Sequence, residues 1–169
     1  MMDAAPLPQV PIGPFADFYQ ERTRSQKQVV ELLTLWHSCL PAPAGFRLAL
    51  LLKDGSDIIG VSTWGRPVAR MEDQTGATLE HLRMALASDL PKNTPSWFLA
   101  RNRKEIRAMF PDVRRLITYV NEDIHSGVTY RADNWQLVYE HKRESSRWSN
   151  REGHAGMSCR TRSKFERSP

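Results

Sequence analysis

The sequence predicts an α/β protein in which helices pack on a mixed β-sheet. Segments with helical spacing of apolar residues alternate along the chain with short strand-like segments, and a hairpin turn joins two of those strands. The composition, with 40% hydrophobic and 25% charged residues over 169 positions, is that of one globular domain with a buried core. We expect parallel pairing wherever a helix separates two strands.

The chain divides into an irregular Pro-rich arm over residues 1–26, an α/β domain over 27–140 and a basic tail over 141–169. Four of the 11 prolines fall within the first 14 residues, which predicts the irregular arm. Helical spacing of apolar side chains runs from about residue 17 to residue 39, and the prolines that follow predict that this helix ends near Leu40.

Strand and hairpin signals follow the first helix. Two apolar segments flank Asp54-Gly55, a pair that favours a tight hairpin turn. Beyond a loop that Gly76 closes, strand-like and helix-like segments alternate to the end of the domain. The predicted elements are strands at 46–53, 58–64, 78–87, 116–120 and 136–141, with helices at 96–110 and 124–132.

The sequence has no feature of a secreted or membrane protein. Its longest apolar run, residues 46–52, is far below the roughly 20 residues that a membrane-spanning helix needs. The N-terminal region has no basic segment followed by an apolar one, and the two cysteines, Cys39 and Cys159, form no CxxC motif. We therefore expect a cytoplasmic protein with reduced thiols and no membrane partner.

Positive charge is concentrated at the C-terminal end. Residues 141–169 hold eight Lys or Arg and three Asp or Glu, so the whole net charge of +5 lies in this tail. Few aliphatic residues occur there, and we expect the tail to lie on a partner or on the domain surface. The tail either binds nucleic acid or only increases solubility. Its candidate nucleic-acid contacts are Arg143, Arg147, Trp148 and Arg151.

Several short motifs stand out between residues 29 and 141. They are Trp36-His37, Leu40-Pro41, Ile59-Gly60-Val61, Gly65 to Arg70, Leu79-Glu80 with Arg83, Pro91 to Leu99, Arg115 to Tyr119 and Tyr130 to Trp135. With the order of elements, these motifs resemble the acyl-CoA N-acyltransferase (GNAT) superfamily, and within it the small branch that includes the Mom-type DNA modification proteins of phages. Tyr130-x-x-x-Asn134-Trp135 has the spacing of the GNAT pattern Tyr-x-x-x-Gly-Phe.

The resemblance implies a three-layer α/β/α sandwich whose mixed central sheet splays at its middle strands and holds acetyl-CoA or a related acyl-CoA. Residues 89–96 lack the glycines of the family's Arg/Gln-x-x-Gly-x-Gly/Ala loop, and the Mom-like branch is similarly unusual there. A helix N-terminus and Lys92 can still attract a pyrophosphate, or Thr94 or Ser96 serves as an ordinary helix cap. The expected cofactor-binding residues are Leu82, Arg83, Met84, Lys92, Asn93, Thr94, Ser96 and Asn121.

The resemblance also implies catalytic roles. Tyr130 matches the tyrosine that protonates the departing thiolate of CoA, and the alternative is a tyrosine that only packs in the core. The candidate bases are His37, at the end of the first helix, and Glu80. We expect His81 to share a strand face with Arg83 and Glu80 to point the opposite way, so that one of them can face the cleft where the strands splay.

Two arginines in the loop after the hairpin are candidate phosphate contacts. Arg66 and Arg70 can bind phosphates of a cofactor or of nucleic acid, or they form surface salt bridges with Glu72 or Asp73. The histidines and acidic residues do not have the spacing of metal ligands, so no metal site is expected.

Three functions fit these features. The resemblance implies a phage enzyme that transfers an acyl-derived group to a base of double-stranded DNA, in that family a carbamoylmethyl group to adenine N6. A base in a duplex must be flipped out to react, and Trp64, Tyr119 and Trp135 are candidates to stack on it. The alternatives are an acetyl-CoA-dependent N-acetyltransferase, acting on a small amine or a hypermodified base, and a non-catalytic DNA-binding protein. The sequence leaves a homodimer open.

Overall fold

The computed structural model describes residues 13–36, 41–142 and 161–169. Its strands are β1 (Phe18–Thr23), β2 (Leu48–Asp54), β3 (Asp57–Gly65), β4 (Thr78–Leu86), β5 (Arg115–Asn121), β6 (Gln136–Lys142) and β7 (Thr161–Arg167). Its helices are α1 (Gln26–Trp36), α2 (Thr94–Met109) and α3 (Val128–Ala132). The strands form one sheet in the order β1-β2-β3-β4-β5-β7-β6, in which β4 and β5 are parallel and all other neighbours are antiparallel.

The two longer helices cover opposite faces of the sheet, which confirms the three-layer α/β/α sandwich. Successive strand side chains point to opposite faces, so β2 contributes to two cores. Ala49 and Leu51 pack in a cluster with Val29 and Leu33 of α1. The alternate β2 residues Leu48, Leu50 and Leu52 face the other side of the sheet. They pack in the larger cluster with three residues of α2, namely Phe98, Leu99 and Ile106.

The first helix is shorter than the sequence predicts, because its expected beginning is a strand. Residues 18–23, expected to belong partly to the arm and partly to the helix, form β1 along the edge of β2. Ser25 stops the strand and caps α1, since its hydroxyl accepts the Gln28 N–H at 3.2 Å. The predicted hairpin between β2 and β3 is confirmed, and Gly55 adopts the positive φ of 57° that the turn requires.

The sheet splays between β4 and β5. The two strands pair only from Thr78 to Glu80 on β4, although β4 continues to Leu86. The register with β3 shifts at the same place and leaves Leu82 as an extra residue, a β-bulge. The bulge breaks the alternation of side chains, so Met84 packs towards α2 and Ala85 towards α1. His81 and Arg83 therefore do not share a face, contrary to expectation.

The end of the basic tail belongs to the sheet. β7 lies between β5 and β6 and pairs antiparallel with both, which corrects the expected domain boundary at residue 140 for residues 161–167. Phe165 is fully buried in the α2 cluster and is the one large apolar side chain of β7. The neighbouring strands and α2 supply the rest of this core. Residues 143–160 of the tail lie outside the described residues.

Candidate functional site

Where β4 leaves β5, the sheet opens a cleft of about 340 Å³ beside α3. Beyond Glu80, no strand within the described residues pairs with the cleft side of β4. The carbonyl oxygens of His81 and Leu82 accept hydrogen bonds from the side chains of Thr118 and Arg83, so the backbone edge that an extended ligand can bind lies beyond Leu82. Four of the expected cofactor-binding residues meet here, namely Leu82, Arg83, Met84 and Asn121. The rest of the lining comes from residues 118–120 and 124–130.

Tyr130 lines the cleft and ends a chain of hydrogen-bonded polar groups. Its hydroxyl lies 2.8 Å from His81 Nδ1, and His81 Nε2 lies 3.1 Å from the Ser62 hydroxyl. The Thr118 hydroxyl lies 3.3 Å from the Tyr130 oxygen and 3.2 Å from the His81 carbonyl oxygen. The Tyr130 ring stacks on Phe165, with 5.7 Å between ring centroids. These contacts fix the hydroxyl at the divergence of the strands.

Burial sets the protonation states in this chain. Desolvation, aided by the positive charge of Arg83, lowers the pKa of His81 to about 3, so the imidazole is neutral at neutral pH. Desolvation raises the pKa of Tyr130 to about 12 against the opposing effect of Thr118, so the phenol keeps its proton. A neutral imidazole has one donor and one acceptor nitrogen, so His81 hydrogen-bonds the Ser62 hydroxyl with one nitrogen and the Tyr130 hydroxyl with the other.

The neutrality of His81 predicts a pH-dependent stability. The unfolded chain binds a proton at this histidine below its ordinary pKa of 6.5, whereas the folded chain resists protonation down to about pH 3. The free energy of unfolding should therefore decrease as the pH is lowered below 6.5. This residue contributes a decrease of up to about 1.4 kcal/mol for each pH unit. Urea unfolding at about pH 7.5 and about pH 5 measures this slope.

His81→Gln should reduce that slope, because glutamine does not titrate. His125→Gln, a change of an exposed histidine on the cleft wall, is the matched control and should keep the wild-type slope. Equal slopes in wild type and His81→Gln would contradict the assignment.

Glu80, an expected base, lies outside the cleft lining. Its side chain is almost fully buried and accepts the Val68 N–H at 2.7 Å, which ties the loop between β3 and β4 to the sheet. Burial raises the pKa of the Glu80 carboxyl. The strand alternation that turns His81 towards α2 turns Glu80 towards this loop, so the geometry assigns Glu80 an anchoring role.

The same loop is held to the sheet by a second carboxylate. Glu72 accepts hydrogen bonds from the Tyr119 hydroxyl at 2.8 Å, from Arg115 at 2.7 Å and from Lys164. Glu72 therefore joins the loop to both β5 and β7. The salt bridges that the sequence allowed between this residue and Arg66 or Arg70 do not form, and both arginines are exposed.

The other four expected cofactor residues lie at the start of α2, away from the cleft lining. Thr94 is fully buried and its hydroxyl donates to the Pro91 carbonyl oxygen at 2.6 Å, so its side chain offers no surface to a ligand, which corrects that expectation. The Ser96 hydroxyl donates to the Asn93 carbonyl oxygen at 3.1 Å, so neither hydroxyl caps an N–H group. Lys92 and Asn93 are exposed.

Several expected site residues lie outside the described residues. These are His37 and the tail residues Arg143, Arg147, Trp148 and Arg151. In the described ranges, no three His, Cys, Asp or Glu side chains gather as metal ligands. Likewise, no helix in those ranges is both long and apolar enough to cross a bilayer.

Sequence reasoning missed Ser62 and Thr118 as members of the site. Both are fully or almost fully buried residues of central strands, and each completes the hydrogen bonding of a buried titratable group. A hydroxyl side chain within a strand that is expected to be buried was the available signal, because a buried hydroxyl needs a partner. The partner itself comes from another strand, which local sequence does not reveal.

Solved structures place this architecture among the acetyltransferases. The ribosomal-protein-S18-alanine N-acetyltransferase from Escherichia coli aligns with a TM-score of 0.61 at 9% identity, over 89% of this chain and 93% of that one. A GNAT family acetyltransferase from Elizabethkingia anophelis with acetyl-CoA bound aligns with a TM-score of 0.56 at 12% identity, over 90% of this chain and 99% of that one. The chain has the GNAT fold.

Sequence comparison gives the family. A curated relative, the methylcarbamoylase Mom of Escherichia phage Mu, is 31% identical over 97 residues, which cover 52% of this chain and 40% of that protein. The profile of the Mom protein family matches residues 21–168, from the middle of β1 through β7. With nearly its whole length matched, the chain belongs to the Mom protein family.

Proposed function

We propose that this chain is a DNA-modifying transferase that uses an acyl-CoA donor and transfers an acyl-derived group to the amino group of a base. The observation that carries the proposal is the Tyr130 hydroxyl, protonated and fixed in the cleft between the splayed strands. Family membership supports DNA as the substrate class, and the relative in phage Mu is named a methylcarbamoylase. From the family relationship we propose a carbamoylmethyl group on adenine N6 as the product. Attack of N6 on a thioester carbonyl alone gives an N-acyl adduct instead, so the mass of the adduct distinguishes the two reactions.

The cleft fits the pantetheine arm of CoA better than the start of α2 fits its phosphates. The backbone edge of β4 beyond Leu82 can exchange hydrogen bonds with the amides of an extended pantetheine. At the start of α2, the Thr94 N–H donates to Pro91 and Pro95 has no N–H, so two of the first three helical positions give an anion no backbone donor. Lys92 would therefore supply the main phosphate contact.

We propose a separate chemical role for each polar side chain at the cleft. An acyl-CoA, when bound, supplies an activated carbon and a sulfur that departs as a thiolate. Tyr130 would donate the proton that neutralises this sulfur and would regain one from solvent through the open cleft, while the hydrogen bonds of His81 and Thr118 hold its hydroxyl in place. Arg83 lines the same cleft and favours negative charge near Tyr130. His37 stays the proposed base that takes the proton of the attacking amino group.

Arg66 and Arg70 support contact with the DNA backbone. Both guanidinium groups are exposed on the loop that is anchored to the two splayed strands. Each phosphate contact releases counterions, so replacing both arginines by alanine should reduce the slope of log affinity against log salt by about two. Lys104→Ala on α2, an exposed cation on the opposite face of the sheet, is the control and should leave the slope unchanged. Fluorescence anisotropy with duplex DNA over a salt series measures the effect.

Mass spectrometry of nucleosides tests the function. DNA from cells that express the chain should contain an adduct on adenine, and DNA from cells that express Tyr130→Phe should not. Calorimetry of the purified protein with CoA tests the donor class separately. If an adduct forms but the protein does not bind CoA, the donor belongs to another chemical class. If no adduct forms, DNA modification is contradicted.

The GNAT fold also favours a second candidate, an acetyl-CoA-dependent N-acetyltransferase that acts on a small amine or on the amino group of a hypermodified base. Acetyl-CoA consumption with free amines, in the absence of DNA, would distinguish it from the first proposal.

A further inference from the structure

The loop between β3 and β4 exposes two apolar side chains at its tip. Met71 is 97% exposed and Val68 is 75% exposed, the two highest values among the large hydrophobic residues that the structure describes. Hydrophobic side chains this far from any packing partner cost hydration free energy. The described fold gives neither side chain a packing role, which indicates that the tip of this loop serves in binding.

Several hydrogen bonds hold the loop despite its exposed tip. The Gln74 side-chain amide donates to the carbonyl oxygens of Pro67, Ala69 and Glu72 at 3.1–3.3 Å and so closes the loop on itself. The Val68 N–H and the Glu72 carboxylate attach the loop to the sheet. A loop fixed at so many points keeps its shape when its tip is pressed against a partner.

The anchoring also fixes where the tip lies. Val68 is bound to Glu80, the last β4 residue that pairs with β5, and Glu72 is bound to Tyr119, a β5 residue that lines the cleft. Met71 directly precedes Glu72, so the tip lies beside the paired part of β4 and β5, next to the point at which the cleft opens. The exposed Arg66 and Arg70 lie within two residues of the apolar tip.

Charge and size favour duplex DNA as the partner of this tip. Two isolated apolar side chains are too small for the continuous hydrophobic core of a protein interface. Apolar side chains flanked by cations are instead suited to enter a base stack while the cations hold the adjacent phosphates. Methionine is long, unbranched and polarisable, which suits contact with base faces.

We propose that the loop of residues 66–76 is a DNA wedge: Met71 and Val68 enter the base stack as the target base leaves it, and Arg66 and Arg70 hold the flanking phosphates. This inference rests on the proposed function, because a base in a duplex reaches the cleft only after it has been extruded. The wedge occupies the space that the base vacates and lowers the cost of unstacking.

Duplex oligonucleotides that contain 2-aminopurine at adenine positions test the wedge directly, because this base becomes more fluorescent when it unstacks. The wild-type protein should raise the fluorescence on binding. The double variant Val68→Ser, Met71→Ser should lose most of that rise and modify duplex DNA at least about tenfold more slowly, while single-stranded DNA is modified at a nearly unchanged rate. Both side chains are exposed, so these changes should leave thermal stability unaltered.

Two controls sharpen the test. Met71→Leu keeps an apolar tip and should retain the fluorescence rise, whereas Leu35→Ser changes a 70% exposed leucine of α1 and should behave as wild type. A double variant that unstacks DNA as well as wild type overturns the wedge. An adduct formed by wild-type protein without any fluorescence rise overturns the wedge only, and a fluorescence rise without any adduct overturns only the proposed chemistry.

Discussion

Tyr130→Phe should lower kcat for DNA modification by at least about two orders of magnitude, the usual effect of removing a general acid. The substitution removes one oxygen atom, the one that lies 2.8 Å from His81 Nδ1. The ring that stacks on Phe165 and contacts Trp135 edge to face remains, so the cleft keeps its shape. Affinity for CoA should stay close to wild type, because the backbone edge of β4 that would bind pantetheine is unaltered.

Tyr19→Phe is the matched control for this change. It also removes a single phenolic hydroxyl, which donates to the Gly55 carbonyl oxygen at the hairpin end of the sheet. Its turnover should equal that of wild type, and its stability should fall by at most about 1 kcal/mol with the exposed hydrogen bond. Tyr130→Phe should cost about 1–3 kcal/mol, because it leaves the buried His81 Nδ1 without this partner. Steady-state rates and urea unfolding measure the two effects, and wild-type turnover in Tyr130→Phe would refute the assigned role.

Truncation after residue 160 should abolish cooperative folding. It removes β7, so β6 loses its pairing partner and β5 keeps only its short pairing with β4. Loss of the fully buried Phe165 side chain alone is worth about 3–5 kcal/mol, a large part of the about 5–15 kcal/mol that holds a typical domain together. The truncation also removes Lys164, which binds Glu72 and helps to hold the loop between β3 and β4. Urea unfolding followed by circular dichroism should show no sharp transition.

A shorter truncation is the control for this experiment. Deletion of Ser168 and Pro169 leaves β7 whole and removes one hydrogen bond at the exposed Arg107, which donates to the Pro169 carbonyl oxygen at 2.7 Å. The cost should be at most about 1 kcal/mol. If the longer truncation keeps the wild-type unfolding transition, the terminal segment is an external tail, as the sequence suggested.

The sequence by itself determined most elements and their order, because each depends on neighbouring residues. Asp54-Gly55 specifies its hairpin locally, since glycine adopts the positive φ that the turn requires. The apolar spacing of α2 and the proline after it likewise define a helix without help from the rest of the chain. The spacing from Tyr130 to Trp135, which resembles the family pattern, predicted a tyrosine in the cleft, and Tyr130 lines it.

The tertiary structure alone decided how distant segments combine. A strand as polar as β7 is stable because β5 and β6 hydrogen-bond its backbone N–H and C=O groups on both sides. No pattern within residues 161–167 indicates that these two partners are present. The bulge at Leu82 redirects every later β4 side chain, so the faces of His81 and Arg83 depend on the register with β3. Hydrogen bonds between Ser62, His81 and Tyr130 join three elements of the fold, and burial then sets the protonation states that the proposed chemistry requires.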